Sequence, residues 1–165
     1  MRKVFVIALA ALCFPFVIAR AQVRVHVEPE HLDSPRELAA QTEQGVIRDY
    51  LESWRTLQAA LDQNNPGLLD RDFVGAAKDR LAETIQLQTG AGIHTRYEDR
   101  SHNLQIAFYS PEGLSIQLTD VVDYDVQVFD KARQISTERV QARYVVVMTP
   151  AEVRWRVRIL QAANE

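Results

Sequence analysis

Leu114-Ser115-Ile116-Gln117-Leu118-Thr119-Asp120-Val121-Val122-Asp123-Tyr124-Asp125-Val126-Gln127-Val128 is the stretch on which the fold turns. Every even position except Asp120 is apolar or aromatic, and every odd position except Val121 is polar. Strict alternation over this length is a long strand with one face against a core and the other toward water. Upstream, Leu104, Ile106 and Phe108 continue the period, and Pro111-Glu112-Gly113 reads as a three-residue hairpin loop with Gly113 in the left-handed position. Downstream, Asp130–Arg133 turns the chain into a strand carrying Val140, Ala142, Tyr144, Val146 and Met148. Thr149-Pro150-Ala151-Glu152 then turns it into Val153, Trp155, Val157 and Ile159.

Register follows from the turns. Pairing Ser110 with Leu114, Asp130 with Gln134 and Met148 with Val153 sets one apolar face across all four strands, which a one-residue slip would destroy. Tyr124 then faces Val140, Leu118 faces Val146, and Val146 faces Trp155. On the other face Asp125 meets Arg139 favourably, while Arg143 meets Arg158 unfavourably.

Before the strands the period is that of helices. Ser34-Pro35-Arg36-Glu37 predicts a helix start, with Ser34 as cap, Pro35 at the first position and Glu37 completing a capping box. Val46, Ile47, Tyr50, Leu51, Trp54, Leu57 and Leu61 follow as one stripe, ended by Asn64-Asn65-Pro66-Gly67. A second helix is predicted over Asp72–Leu87, with Phe73, Ala77, Leu81 and Ile85 on one face. Ahead of both, Val23, Val25 and Val27 alternate with Arg24 and His26, as an edge strand or an extended arm. The fold class is therefore α+β, with N-terminal helices packed on the concave face of a curved antiparallel sheet of four or more strands.

Residues 1–21 read as a cleavable signal peptide. Arg2 and Lys3 precede the apolar run Val4–Ile18, and Ala19-Arg20-Ala21 is a small-x-small cleavage site leaving Gln22 first. An uncleaved anchor would need about 20 apolar residues. A lipoprotein would use Cys13, but Leu12 stands where a small residue is wanted. The domain plan is 1–21 leader, 22–33 extended arm and 34–165 a single domain, periplasmic or secreted, touching membrane only through the leader. The mature chain has sixteen basic against twenty-two acidic residues and no cysteine. That composition excludes disulfides, thiolate catalysis and charge-driven binding of nucleic acid.

The order of elements, the opening helix Ile47–Leu61 and the closing Val153-Arg154-Trp155-Arg156-Val157-Arg158-Ile159 resemble the nuclear transport factor 2-like superfamily over about residues 45–161. That group includes the SnoaL-like domains and the ketosteroid isomerases. The resemblance implies a cavity between sheet and helices, used by different members for catalysis, ligand binding or protein association, so fold leaves function open.

Asp120 is the anomaly of the apolar face. In the register above it lies opposite Leu104 and Tyr144, with His102 diagonal to it. A carboxylate, an imidazole and a phenol converging on an apolar cavity suit acid–base chemistry. A β-bulge at Thr119–Val121 would instead turn Asp120 out to solvent. Tyr144, Tyr124, Leu104 and Trp155 are the expected ligand-lining residues. His26, Glu28, Glu30 and His31 crowd together, but an extended backbone around Pro29 keeps them from converging, so no metal and no cofactor are expected. Arg154, Arg156 and Arg158 read as a solvated outer stripe. Two readings follow: an exported non-enzymatic module binding a small apolar ligand or a protein partner, or a small acid–base enzyme (isomerase, dehydratase or hydrolase) using Asp120 and His102. Val121, Val145 and Val147 on the outer face predict a weak homodimer.

Overall fold

A computed structural model of the chain describes residues 22–28 and 36–163. The leader and its cleavage site, and the caps Ser34 and Pro35, lie outside the described residues. A short strand β1 (Arg24–Val27) precedes helices α1 (Ala40–Asp62) and α2 (Gly75–Gly90), with a 3-10 turn at Pro66–Arg71 between them. Four long strands follow: β2 (Ile93–Tyr109), β3 (Ile116–Asp130), β4 (Arg133–Pro150) and β5 (Trp155–Ala162). The sheet order is β1-β2-β3-β4-β5, antiparallel except for β1, which runs parallel to Ser101–Leu104. The architecture is α+β, with both helices on one face of a curved, unclosed sheet. Among the described residues no helix is long and apolar enough to cross a membrane.

The helical stripe of α1 is the core's spine. Val46, Tyr50, Trp54, Leu57 and Leu61 are all buried, against Leu104, Ile106, Leu118, Val122, Val146 and Met148 of the sheet. The helix starts at Ala40, with Ala39 as an N-cap that offers no side-chain bond, rather than near Ser34. Arg36 is used elsewhere: its guanidinium donates to the Pro111 carbonyl (3.1 Å) and lies over the Tyr109 ring, tying this segment to the β2–β3 turn. Gly113 adopts a left-handed φ of 76° there, and a Cβ on it would meet the Arg36 guanidinium at 2.7 Å. Helix α2 likewise starts later than Asp72. Residues 72–74 run beside β5 instead, with Val157 N–H donating to the Asp72 carbonyl and Val74 N–H to the Val157 carbonyl. This buries Phe73 in the core.

The central register is as expected: Leu104 faces Asp120, Leu118 faces Val146, and Tyr124 faces Val140. Irregularities sit where the alternation is silent. Arg100 and Ala107 are each an extra residue in β2, so Tyr97 and Asp99 face inward at odd positions, His102 to Ile106 at even ones, and Tyr109 at an odd one again. Phe108, expected inside, is displaced by Tyr109, and the β2–β3 turn closes with Ser110 bonded to Ser115 rather than paired with Leu114.

The β4–β5 register differs from expectation. Pro150 pairs with Trp155, Met148 with Val157 and Val146 with Leu160, so Val153 is 83% exposed in the turn and Trp155 is half-buried at the sheet's end. The cause is anchoring from outside the hairpin: Trp155 N–H donates to the Asp49 carboxylate (2.8 Å), and Val157 is held by the segment before α2. The shift places Arg143 beside Ala163, so the like-charge pair with Arg158 never forms. It also turns two members of the arginine stripe to structural use. Arg154 donates to the buried Asp72 carboxylate (2.8 Å), which also accepts from Thr56 (2.5 Å), and Arg156 donates to the carbonyls of Asp70 and Phe73. On the convex face Asp125 stands opposite Arg139, but the bonds are diagonal, Arg139 to Asp123 and Arg100 to Asp125.

Candidate functional site

Asp120 points into the cone. No bulge interrupts β3 at Thr119–Val121, and the carboxylate is fully buried between Leu104 and Tyr144. Its Oδ2 accepts two bonds, from the Tyr50 hydroxyl (2.8 Å) and from His102 Nδ1 (2.6 Å), while Oδ1 has no partner. An unmatched buried carboxylate oxygen is costly. It marks a position that packing alone would fill with an apolar residue.

His102 is the pivot of the cluster. It is 2% exposed, and its ring meets Trp54 and Tyr50 edge-on. Nδ1 is bonded tightly to Asp120, whereas Nε2 faces the Asp99 carboxylate at 3.5 Å, too far for a good hydrogen bond. Asp99 is held from the other side by the Trp54 indole N–H (2.7 Å). Burial disfavours the imidazolium, but the bond to Asp120 and the nearby Asp99 carboxylate outweigh it and push the His102 pKa up to about 9. At neutral pH the imidazole is a cation between two carboxylates.

The surrounding phenols stay protonated. Burial, reinforced by Asp120, raises the Tyr50 pKa well above its ordinary value, and burial alone is the main cause for Tyr97, pushed to about 12. Tyr124 and Tyr144 are raised chiefly by burial too, and their hydroxyls bond each other at 2.9 Å. Tyr144 and Tyr124 thus stand with Asp120 and His102 around Trp54, whose ring contacts both at 5.5 and 5.8 Å. Leu104 is buried wall beneath them. Trp155 is not brought to this cluster. It lines a separate 370 Å³ groove with Tyr109, Arg48 and Asp49 at the sheet's other end.

Solvent reaches the cluster at the Asp99–His102 edge. A 270 Å³ pocket there is lined by Gln22, Val23 and Val25, by Leu51 and Arg55 of α1, and by Asp99 and His102. A neighbouring 570 Å³ depression shares Val23 and Asp99 and adds Gln58, Tyr97, Glu98, Arg100 and Asp125. The N-terminal strand therefore forms the roof of the site. Of the crowded ligand types, His26 pairs with Glu28 at 3.5 Å, and Glu30 and His31 lie outside the described residues. His94 stacks on Phe129 far along β2.

Sequence reasoning missed Tyr50, Trp54 and Asp99 as members of the site. Tyr50 and Trp54 occupy successive turns of the apolar stripe and were legible as core, their polar atoms being the overlooked signal. Asp99 is out of phase with His102 because of the extra residue at Arg100, and nothing in the alternation discloses that.

No protein-family model matches the chain, and a search of curated proteins returns no match. Solved structures do match. The intermembrane-space region of the chloroplast protein ARC6 aligns with a TM-score of 0.63 at 8% identity, over 79% of this chain and 100% of that one. A scytalone dehydratase candidate from Novosphingobium aromaticivorans aligns at 0.53 and 15% identity, over 76% and 89%. Aln2 from a Streptomyces species aligns at 0.51 and 11%, over 78% and 93%. At these identities the likeness is one of fold. What is shared is the α+β arrangement itself, helices on one face of a curved, mostly antiparallel sheet.

Proposed function

We propose that this nuclear transport factor 2-like cone is an exported acid–base enzyme acting on a small apolar molecule that carries a carbonyl or hydroxyl oxygen. The observation that carries the reading is the asymmetry at His102. Its Nδ1 is fixed by buried Asp120 at 2.6 Å, while its Nε2 faces the pocket wall across a loose 3.5 Å from Asp99. A substrate oxygen entering between Nε2 and Asp99 replaces that weak contact. Val23, Val25 and Leu51 offer an apolar surface to the rest of the molecule.

The chemistry that fits is proton transfer next to a carbonyl. The imidazolium Nε2–H passes its proton to the carbonyl oxygen, and the Asp99 carboxylate takes a proton from the adjacent carbon, leaving an enol. Asp120 holds the ring through Nδ1–H in both protonation states and offsets its charge. Return of the proton at a different carbon isomerises the substrate, and departure of a β-hydroxyl as water dehydrates it. The dehydratase name of one structural neighbour supports the second branch.

Deuterium exchange into a panel of small cyclic ketones and β-hydroxy ketones in D2O, followed by NMR, tests the reading. Exchange above the buffer rate is expected for at least one compound, falling by about 100-fold or more in His102→Gln, the usual worth of a positioned acid or base. Buffer-level exchange throughout, or exchange undiminished in both His102→Gln and Asp120→Asn, overturns it. The complete enclosure of Asp120 favours a second reading, a module that binds an apolar ligand or a protein without chemistry. In that case a panel compound shifts Trp54 fluorescence with no turnover.

A further inference from the structure

Two independent observations meet at one residue. The small-x-small pattern Ala19-Arg20-Ala21 predicts cleavage that leaves Gln22 as the first residue. Separately, Gln22 lines the same 270 Å³ pocket as Asp99 and His102. We infer that leader cleavage completes this pocket, and that the new α-amino group of Gln22 is one of its working cations, set against the Asp99 carboxylate.

Hydrolysis of the Ala21–Gln22 peptide bond adds one water and leaves a carboxylate on the departing leader and an ammonium on Gln22. In the precursor the same atom is an uncharged amide, with twenty-one further residues attached to it. A 270 Å³ space is on the order of 8 Å across, within about one Debye length at physiological salt. Charges on its walls therefore act on one another. On the β2 side the pocket carries Asp99 and His102, with Asp120 bonded to His102. On the α1 side it carries Arg55, which is tied to Glu52 at 3.1 Å. Arg55 is paired with Glu52 and His102 with Asp120, so Asp99, which meets His102 only loosely at 3.5 Å, is the pocket carboxylate open to a second cation.

This reading uses the pocket of the proposed acid–base site but rests on its geometry rather than on turnover. A catalytically silent protein can bear it out, and an active one can refute it. The test begins with mature protein recovered from an exporting host, its first residue identified by intact mass. The amine is converted to its ¹³C-dimethyl form, and its titration is followed by NMR in wild type and in Asp99→Asn, which keeps an acceptor for the Trp54 indole. In wild type the amine should titrate about 0.4 unit above an identically labelled Gln-Val-Arg peptide, roughly a 2.5-fold gain in proton affinity for a unit charge at this range in water. That gain should vanish in Asp99→Asn. It should also fade in wild type between low and high salt, a reading that stands even if the variant does not fold. A peptide-like value in wild type, a gain that salt leaves untouched, a first residue other than Gln22, or a mass lower by one ammonia (cyclised glutamine with no amine left) overturns the inference.

Discussion

Raising the pH from 6 to 10 should strip the fold of a contribution that only His102 makes. Its imidazole is 2% exposed, so solvent screens it little. The bond to Asp120 and the nearby Asp99 carboxylate place its folded-state pKa at about 9, against 6.5 for a free histidine. Because the folded value lies above the unfolded one, the native state binds the proton more tightly. The stabilisation is complete below about pH 6.5 and is lost as pH rises through 9. Two and a half units at about 1.36 kcal/mol each amount to roughly 3 kcal/mol. With a urea slope of about 2 kcal/mol per molar, the unfolding midpoint should fall by about 1.5 M across the window. Urea unfolding of wild type and His102→Gln at half-unit pH steps isolates the effect, since other groups titrate alike in both. The advantage of wild type over the variant should shrink by about 3 kcal/mol between the ends of the range. An advantage that is constant with pH, or that grows as pH rises, refutes the charged Asp120–His102–Asp99 arrangement.

The two tryptophans should part company in the same assay. Trp54→Ala, fully buried among His102, Tyr124 and Tyr144, should cost about 3–5 kcal/mol, whereas Trp155→Ala, half-buried at the sheet's end, should cost about half that; equal losses contradict the β4–β5 register. On the convex face Val121, Val145 and Val147 are partly exposed beside Ile159, which is 37% exposed, and we expect a homodimer at tens of micromolar by sedimentation. Val145→Arg should return it to monomer, and a wild type that sediments as a monomer removes the interface.

The sheet's centre was legible because burial of one face enforces a period of two, and Asp120 stood out against that period. Its neighbours across the strands, Leu104 and Tyr144, followed from counting residues through the turns. Counting succeeded at Leu104 although the β2–β3 turn was misplaced by one. The extra Ala107 offsets that error, so the register is correct from Ser101 to Ile106, where His102 and Asp120 meet, and off by one on either side, near Phe108 and again from Asp99 back to Ile93 beyond the extra Arg100. The β5 register was not legible, because the contacts that set it come from Asp49 and from residues 72–74, distant in sequence. For the same reason Tyr50 and Asp99 stayed hidden. A hydrogen bond spanning seventy residues between Tyr50 and Asp120 leaves no local mark.

Strand β2 has seventeen residues and its partner β3 has fifteen. Bonded side by side along their lengths, they behave like two strips of unequal length riveted together, and such a pair has to curl. The surplus is Arg100 and Ala107, one on either side of His102. Deleting either would leave every inward side chain of β2 still facing inward, because each is supernumerary to the alternation. What would change is the bend, and with it how closely His102 is pressed toward α1. The curvature that brings a helix phenol and a strand imidazole onto one carboxylate oxygen is thus set by residue count, and it responds to the gain or loss of a residue where it would ignore an exchange.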